Sequence, residues 1–311
     1  MRVLVTGGAG FIGSHVTDAY LRAGHDVTIV DDLSTGRREN VAARAHLIEM
    51  DICSADLNRV FAEERFDLVS HHAAQMDVRR SVADPVFDAR VNVIGLLNLL
   101  ERCIAHRVGR VIFASTGGAI YGEQEQFPAP ETHPTLPLSP YGVAKLASER
   151  YLHYYGVTYG LRATVLRYAN VYGPRQDPHG EAGVVAIFAQ RLLSGQAPII
   201  NGDGLQTRDF VHVSDVVRAN LLALARAEGG VFNVGTGVEV TVKDLLRTMS
   251  QCAGARSGTE TYGPAKKGEQ RRSVIDPARA RQILGWSPEV TLAQGVASTV
   301  DFFRARSQRS T

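Results

Sequence analysis

The sequence predicts an α/β fold: a doubly wound parallel sheet covered by helices, with a smaller mixed α/β region toward the C-terminus. Short apolar runs rich in β-branched residues alternate with segments of helical periodicity, and this alternation is typical of a parallel sheet. Polar or glycine-rich residues follow these runs, at the carboxyl ends of strands, where such sheets bind their ligands. A chain of 311 residues suits one large domain or two closely joined ones.

The first 31 residues have the order strand, glycine-rich turn, helix, strand, acid. The run Arg2–Thr6 is apolar and β-branched, glycines follow it without a spacer, and apolar residues then recur at helical spacing. Gly24 stands where a helix ends on a residue of positive φ. A helix N-terminus presents unpaired N–H groups, which a pyrophosphate approaches closely only where Cβ atoms are absent. The stretch therefore predicts a dinucleotide site, whose cofactor contacts are Gly7, Gly10, Phe11, Ile12 and Gly13.

Asp31 ends the second predicted strand, His25–Val30, and lies 18 residues after Gly13. A carboxylate at about this spacing reaches the adenosine ribose hydroxyls and would repel the 2′-phosphate of NADP. The sequence therefore favours NAD, and Arg37 and Arg38 are interpreted as solvated loop charges. The alternative, a flexible glycine loop, is disfavoured because strand, helix, second strand and acid are all in place.

Composition excludes several classes of partner. Lys and Arg number 34 against 32 Asp and Glu, so no basic excess attracts nucleic acid or an anionic membrane. Cys53, Cys103 and Cys252 lie far apart, which argues against a disulfide framework or a zinc site. The first strand begins by Val3, which leaves no room for a signal peptide, and no apolar run approaches the ~20 residues of a membrane helix. We expect a cytoplasmic protein with a small-molecule partner and no metal.

The remaining strands and helices follow from the same patterns. Residues 124–140 carry five of the twelve prolines and predict an ordered loop. Helices are predicted at Val91–Ala105, from Tyr141 to about Tyr159, and from about Val184 to Leu193. Further strands are predicted at His46–Met50, Phe66–Ser70, Arg110–Ala114, Arg162–Leu166 and Gly230–Gly235. The residues that follow them would meet at one sheet edge, among them Asp51-Ile52, His71–Gln75 and Ser115-Thr116.

Tyr141 and Lys145 place a phenol and an ammonium four residues apart, on one face at the start of a helix. A free phenol loses its proton near pH ~10, but neighbouring cations stabilise the phenolate. Lys145 supplies one positive charge and an oxidised nicotinamide another. Such a tyrosine could take a proton from an alcohol while the carbon gives hydride to the cofactor, and Ser115 or Thr116 could hydrogen-bond the reacting oxygen.

Other polar residues carry less specific signals. Asn92 lies in an apolar helical segment and is either a satisfied helix-helix hydrogen bond or an active-site support. His71 and His72 are adjacent on a strand and point to opposite faces, so they are interpreted as lining the cofactor pocket rather than binding metal. His212 and Asp215 lack a serine in a nucleophile elbow, which disfavours a hydrolytic triad.

Taken together, these residues resemble the extended short-chain dehydrogenase/reductase family of nucleotide-sugar enzymes, and within it the UDP-glucose 4-epimerases. The resemblance covers essentially the whole chain. It is carried by the motifs TGGAGFIG at 6–13, LSPYGVAK at 138–145, LRYANVYGP at 166–174 and TRDFVHV at 207–213.

The resemblance implies a Rossmann NAD-binding domain at residues 1–173, to which about 209–238 return, and a nucleotide-sugar-binding domain at 174–311. It implies 4-epimerisation of a UDP-hexose. Tyr141 would take the proton of the 4-hydroxyl while C4 passes hydride to tightly held NAD; the 4-keto sugar would turn over and take hydride back on its other face. A homodimer formed by the helices of Asn92 and Tyr141 is also implied.

The resemblance also implies the contacts with cofactor and substrate. Thr116, or its neighbour Ser115, would bind the 4-oxygen, and Asn170 and Arg208 would grip the nucleotide diphosphate. Lys266, Glu269 and Ser273 would complete the substrate site. The cofactor contacts would be Gly7, Gly10, Phe11, Ile12, Gly13, Asp31, Asp32, Asp51, Ile52, Ala73, Ala74, Asn92, Tyr141, Lys145 and Tyr168.

The chain departs from the family pattern at several positions. The stretch STGGAIYG at 115–122 is one residue longer than usual, which leaves Ser115 and Thr116 both open as the catalytic hydroxyl. Asp32 replaces asparagine, and Lys266 and Glu269 replace arginine and aspartate. Ser273 stands where some members carry a bulky tyrosine, from which we hypothesise that N-acetylated sugars are accepted too.

Other functions remain as alternatives. A 4,6-dehydratase would need an Asp-Glu pair after Thr116, where this chain has Gly117 and Gly118, which disfavours dehydration. A decarboxylase or uronate epimerase shares the fold and the Tyr/Lys pair. Outside the enzymes, an NAD-binding regulatory protein is possible, although Tyr141 and Lys145 are both intact.

Overall fold

The structure is a computed structural model that describes residues 1–178, 183–226, 229–255, 258, 260–265 and 270–309. None of the described helices is long and apolar enough to cross a membrane. The strands are β1 (Arg2–Thr6), β2 (Asp26–Asp31), β3 (His46–Glu49), β4 (Leu68–His71), β5 (Arg110–Thr116), β6 (Arg162–Tyr168), β7 (Asn170–Tyr172), β8 (Ile199–Asn201), β9 (Thr207–Arg208), β10 (Phe210–His212), β11 (Gly230–Val234), β12 (Val240–Thr241) and β13 (Thr261–Gly263). The α-helices are α1 (Phe11–Arg22), α2 (Leu57–Glu63), α3 (Val78–Ala83), α4 (Pro85–Ala89), α5 (Gly95–Ala105), α6 (Pro140–Tyr159), α7 (Val184–Leu193), α8 (Val213–Ala225), α9 (Val242–Ala253) and α10 (Leu292–Arg309).

Seven strands form one parallel sheet in the order β11-β6-β5-β4-β1-β2-β3. The chain starts in the middle of this sheet, winds outward to β3, then returns to β4 and winds outward the other way. The doubly wound parallel sheet predicted from the sequence is therefore confirmed. Its order reverses between β1 and β4, and ligands bind at such a point, beyond the carboxyl ends of the strands.

Element boundaries differ from the predicted ones by a few residues. Strand β4 begins at Leu68 rather than Phe66, and β2 extends through Asp31. The helix predicted at 91–105 is interrupted: Arg90–Ile94 form a π-helical turn before α5. Helix α6 begins at Pro140, since proline fits the first turn of a helix.

Side chains that alternate along the strands build a separate apolar core on each face of the sheet. On one face, Ile112 and Leu166 pack with residues of α1 and α8. On the other face, Val111 and Phe113 pack with residues of α2, α5 and α6. Because residues i and i+2 of a strand share a face, the two cores are read directly from the sequence of β5.

A third apolar core lies outside the main sheet, among α7, α9 and α10. Its buried members include Phe188, Leu245, Met249 and Val300. Between α7 and α9 the chain returns to the main sheet, where β11 pairs with β6 and α8 packs on α1. The division into domains at residues 173 and 174 stays a prediction.

Candidate active site

The glycine-rich turn between β1 and α1 packs backbone against backbone. Gly7 has a φ of +70°, and a Cβ on it would lie 2.5 Å from the backbone nitrogen of Ala73. A Cβ on Gly13 would lie 2.1 Å from the carbonyl oxygen of Gly7. Because no side chain tolerates such distances, both positions require glycine. Gly10 precedes α1 without a side-chain cap, so the N–H groups of the first turn can bind an anion.

Asp31 supports this turn from the neighbouring strand. Its Oδ2 accepts a hydrogen bond from the Ala9 N–H at 2.9 Å, and its Oδ1 accepts one from the Leu33 N–H at 2.9 Å. Burial raises the pKa of Asp31. Each carboxylate oxygen keeps a further lone pair, which a ribose hydroxyl could use. Asp32 is exposed and accepts hydrogen bonds from the backbone N–H and the hydroxyl of Ser34.

The loop after β2 covers the glycine-rich turn. The Arg37 N–H donates to the Ala9 carbonyl at 3.0 Å. The Arg37 side chain lies 3.4 Å from Asp177 in an ion pair, and Arg38 pairs with Glu49. The side chains of Arg37 and Arg38 are 35% and 67% exposed, so both remain solvated loop charges, each with a carboxylate within reach.

Two loops at the carboxyl edge carry further predicted cofactor residues. Asp51 and Ile52 follow β3, where Asp51 accepts a hydrogen bond from the Cys53 N–H at 2.8 Å and Ile52 is buried. Ala73 and Ala74 follow β4, next to Gly7. The structure thus brings these four residues to the edge that carries the glycine-rich turn.

Helix α6 presents the predicted Tyr/Lys pair. Ser139 caps the helix, and its hydroxyl accepts a hydrogen bond from the Gly142 N–H at 3.1 Å. Tyr141 lies in the first turn and is half-buried. Lys145 follows one turn later, with its Nζ 6.0 Å from the centre of the Tyr141 ring. The ammonium therefore lies beside the phenol, as the four-residue spacing predicts.

The Lys145 ammonium is buried, with only 3% of the residue exposed. Its Nζ donates to the Ala114 carbonyl at 3.0 Å. Burial lowers the pKa of Lys145 to about 8, although the charges of Asp88 and Glu149 act in the opposite direction. An ammonium has three N–H donors, so Lys145 has further donors to offer a ligand.

The two adjacent hydroxyls at the end of β5 have different surroundings. Ser115 is buried and donates to Glu149 at 2.6 Å. Thr116 is half-buried and points to the other face of the strand. A Cβ built on Gly118 would lie 3.9 Å from the Thr116 hydroxyl and 3.2 Å from the amide oxygen of Asn170. Thr116 and Asn170 therefore border one space, whereas the Ser115 hydroxyl is occupied elsewhere.

A buried polar network behind Ser115 was not predicted. Arg167 donates to Glu149 through two nitrogens, at 3.0 and 2.6 Å, and to the Tyr121 hydroxyl at 2.9 Å. Tyr121 in turn donates to Asn233 at 2.7 Å. Burial raises the pKa of Tyr121 to about 12. The network joins the ends of β5, β6 and β11. The sequence signals it only through Arg167, a charged residue inside the apolar strand β6, and Glu149 inside helix α6.

Asn92 supports the loop after β4. Its Nδ2 donates to the Gln75 carbonyl at 2.8 Å and to Asp88 at 3.0 Å, while its Oδ1 accepts from the Gln75 N–H at 3.0 Å. Both amide hydrogens are thereby used. The structure shows the amide of Asn92 satisfied by the loop that carries Ala73 and Ala74 and by Asp88 on α4, and its role as an active-site support stays a prediction.

His71 and His72 occupy opposite faces of the sheet, as predicted. His71 shares a hydrogen bond of 2.6 Å with Thr6 and stacks on Phe113, whereas His72 shares one of 3.0 Å with Ser70. Burial and the charge of Lys145 lower the pKa of both, that of His72 to about 3. Within the described ranges, no cluster of three His, Cys, Asp or Glu side chains could hold a metal.

Arg208 lies on the side of the third core. Its guanidinium donates to the carbonyls of Thr207 at 2.8 Å and of Gln270 at 2.9 Å. The neighbouring Asp209 carboxylate is buried and accepts from the N–H and the hydroxyl of Thr236. A guanidinium presents N–H donors that can fork onto phosphate oxygens.

Of the remaining predicted residues, Ser273 and Tyr168 are buried, and two lie outside the described ranges. Ser273 is 5% exposed. Tyr168 is buried, and its hydroxyl accepts a hydrogen bond from Asn220 at 2.8 Å. Lys266 and Glu269 are not among the described residues.

These residues fit a dinucleotide. The uncapped start of α1 and the side-chain-free turn suit a pyrophosphate, Asp31 has spare lone pairs, and Lys145 has spare donors one turn from Tyr141. A phenol beside a buried ammonium at this edge can act as a base toward a substrate hydroxyl.

Comparison with known proteins agrees with this chemistry. Residues 3–235 match the model of the NAD dependent epimerase/dehydratase family. A UDP-glucose 4-epimerase of Mycolicibacterium smegmatis is 48% identical over 99% of this chain and 100% of its own length. The structure of a Thermotoga maritima UDP-glucose 4-epimerase with UDP-glucose has a TM-score of 0.96 at 49% identity, covering 98% of this chain and 99% of that one. A Thermus thermophilus UDP-glucose 4-epimerase in complex with NAD has a TM-score of 0.93 at 48% identity, with the same coverage.

Gly13→Ala tests the backbone contact in the turn. Because the new Cβ would meet the Gly7 carbonyl oxygen, we expect loss of most bound NAD and a fall of about 2 kcal/mol or more in unfolding free energy. NAD content of the purified protein and denaturant unfolding measure the two effects. The control is Gly160→Ala: Gly160 has a φ of +72°, and a Cβ built on it would meet no atom within 4 Å, so the change should cost only about 1 kcal/mol and leave NAD bound. Equal NAD content in both variants would contradict the prediction.

Proposed function

The chain belongs to the NAD-dependent epimerase/dehydratase family, and from this premise we propose that it is a UDP-glucose 4-epimerase, an isomerase that interconverts UDP-glucose and UDP-galactose. The observation that carries the proposal is the half-buried Tyr141 beside the buried Lys145 ammonium, at the sheet edge that carries the NAD-binding turn. The similarity to UDP-glucose 4-epimerases over nearly the whole chain supports it. A place in galactose metabolism and in the cytoplasm belongs to the same proposal.

Tyr141 acts as the base on the sugar 4-hydroxyl. Lys145 stabilises its phenolate, because an opposite charge nearby favours the ionised form. When bound, NAD supplies the hydride acceptor at C4 and returns the hydride, so no net redox change results. After the 4-keto sugar has turned over, Tyr141 returns the proton to the 4-oxygen, and the product differs only in configuration at C4.

The cofactor is held by the turn and by the residues around it. The first turn of α1 binds the pyrophosphate, Asp31 binds the adenosine ribose, and Lys145 binds the nicotinamide ribose. Asp51 and Ile52 flank the adenine. Because backbone and carboxylate groups contact the pyrophosphate, the riboses and the adenine, the cofactor stays bound between turnovers.

The substrate lies on the side of Thr116, Asn170 and Arg208. Thr116 is the hydroxyl that meets the 4-oxygen, since the Ser115 hydroxyl is committed to Glu149. Asn170 and Arg208 hold the diphosphate, with Lys266, Glu269 and Ser273 completing the site. The small side chain of Ser273 is the basis for proposing that UDP-N-acetylglucosamine is accepted as well.

A dehydratase is disfavoured because no acidic pair follows Thr116, where this chain has Gly117 and Gly118. A Cβ on Gly117 would lie 2.7 Å from Ile275, and one on Gly118 would lie 3.2 Å from the Asn170 amide oxygen. An acidic pair at these positions would require the side chains of Ile275 and Asn170 to shift, and this chain has two glycines there instead.

We also propose a homodimer. Helix α6 exposes Val143, Tyr151 and Tyr154 to 54, 39 and 49%, and residues spaced by three and four form one stripe on a helix. A second copy of this chain would cover the stripe, since contiguous exposed apolar surface of this kind marks an interaction site.

Tyr141→Phe tests the reaction itself. We expect epimerisation to fall by at least about a hundredfold, because the general base is lost, while NAD stays bound. NMR of mixtures with UDP-glucose, UDP-N-acetylglucosamine and UDP-glucuronate, without added cofactor, measures the turnover. If the protein is instead a regulatory NAD-binding protein, the wild type will show no turnover. If the wild type turns over UDP-glucose but not UDP-N-acetylglucosamine, only the proposal on N-acetylated sugars is refuted.

A matched pair of variants separates the two hydroxyls. Thr116→Val should lower kcat about ten- to a hundredfold, the worth of a hydrogen bond to a charged transition state. Ser115→Ala should leave kcat near that of the wild type and lower the unfolding free energy by about 1–2 kcal/mol, because Glu149 loses a buried donor. Steady-state kinetics and thermal unfolding distinguish them; the reverse pattern would assign the role to Ser115.

Tyr154→Glu tests the dimer. A charge on the exposed stripe should shift the protein from dimer to monomer in analytical ultracentrifugation, because an unpaired charge would be buried in the interface. Tyr262→Glu, at a tyrosine 54% exposed on β13, is the control and should remain a dimer. A wild type that sediments as a monomer would refute the proposal.

A further inference from the structure

Asp88, on the short helix α4, is a buried carboxylate with an unusual environment. The residue is 1% exposed. Its Oδ1 accepts hydrogen bonds from Gln75 Nε2 at 2.9 Å and from Asn92 Nδ2 at 3.0 Å. Its Oδ2 is buried and has no hydrogen-bond partner in the part of the chain that the structure describes. A buried charge is costly unless a charge of opposite sign compensates it.

The two donors of Asp88 connect it to the active site. Gln75 belongs to the loop that carries Ala73 and Ala74. Asn92 lies in the π-helical turn, and its carbonyl accepts a hydrogen bond from the Ser148 hydroxyl at 3.0 Å. Ser148 follows Lys145 by three residues on α6. One buried network therefore joins α4, the loop after β4 and the catalytic helix.

Asp88 and the Lys145 ammonium act on one another electrostatically, and the hydrogen bond of 3.0 Å from Ser148 to the Asn92 carbonyl holds α6 against the π-helical turn whose Asn92 donates to Asp88. Asp88 is the strongest influence that opposes the burial of Lys145 and raises its pKa, ahead of Glu149. Glu149 is paired with Arg167 through two hydrogen bonds, so much of its charge is already balanced. The other groups that face Lys145 are Tyr141 and two histidines, His71 and His72. Burial keeps both histidines neutral, so they add no charge at working pH.

Building on the function proposed above, we propose that Asp88 is a positioning residue of the epimerase. Its carboxylate keeps Lys145 charged beside Tyr141 and, through Gln75 and Asn92, holds the loop that contacts the cofactor. Asp88 touches no reacting atom and acts through Lys145.

The effect of removing the charge has a definite sign. The pKa of Lys145 lies at about 8 with Asp88 in place, and without the carboxylate it falls further. Lys145 then loses its proton at a lower pH, and above that pH the Tyr141 phenolate has lost its neighbouring cation. Activity should therefore fall most on the alkaline side.

Asp88→Asn is the test, because asparagine keeps the size of the side chain and an oxygen acceptor for Gln75 and Asn92 while removing the charge. Asp84→Asn is the matched control: Asp84 is exposed and caps α4 at the Phe87 N–H, and asparagine caps equally well. We expect the alkaline limb of kcat/KM to move down by about one pH unit in Asp88→Asn, with about tenfold loss above it. KM and NAD content should change little, and Asp84→Asn should follow the wild type.

A second readout needs no turnover. The near-ultraviolet absorbance of the phenolate, taken as the difference between each protein and its Tyr141→Phe version, follows the ionisation of Tyr141 alone. In Asp88→Asn this ionisation should move to higher pH. If the wild type lacks epimerase activity but this shift is found, the proposed function fails and the role of Asp88 stands.

Two results would overturn the role of Asp88. One is an active wild type whose pH profile and Tyr141 ionisation are both unchanged in Asp88→Asn. The other is a uniform loss of activity at all pH values together with loss of thermal stability and no change in Tyr141 ionisation, which would make Asp88 a purely structural residue.

Discussion

The contact between the backbones of Gly7 and Gly13 sets the geometry on which the rest of the molecule depends. The start of α1 lies so close to the end of β1 that no Cβ fits between them, and the loop after β4 lies as close on the other side. This brings the N-terminus of α1 to the carboxyl edge at the point where the strand order reverses. Asp31 accepts from Ala9 in the same turn, and the loop after β2 donates back to Ala9. The glycine-rich turn is thus held by backbone contacts that a side chain would disrupt.

Buried charged side chains form the other side of the site. Arg167, Glu149, Lys145 and Asp88 are all nearly removed from water, and each such charge is tolerated only with a partner. Arg167 and Glu149 satisfy one another and engage the Ser115 hydroxyl. Lys145 donates to one carbonyl, so it keeps further N–H donors for a ligand. The charges of Arg167 and Glu149 balance one another, and this pair is the structural part of the network. The charge of Lys145 is incompletely balanced, and Lys145 is the reactive part.

The segment after β7 joins the main sheet to the region of the third core. His15 shares a hydrogen bond of 2.9 Å with the Pro174 carbonyl, Asp18 pairs with Arg175 at 2.8 Å, and Arg37 pairs with Asp177 at 3.4 Å. Two of these partners lie on α1 and one on the loop that covers the glycine-rich turn. Helix α1 and the loop that covers the glycine-rich turn therefore also anchor the segment after β7.

The sequence by itself determined the features that depend on near neighbours. The alternation of strands and helices predicted the parallel sheet, the glycine spacing predicted the turn, and the four-residue spacing placed Tyr141 beside Lys145, because helix and strand periods are local. Only the tertiary structure decided what depends on residues far apart in the chain. It separated Ser115 from Thr116 through Glu149, 34 residues beyond Ser115, directed Asn92 to Gln75, and brought Asp88 into the network of Lys145. Hydrogen bonds and charge pairs of this kind have no period, so a side chain's partner is known only once the chain has folded.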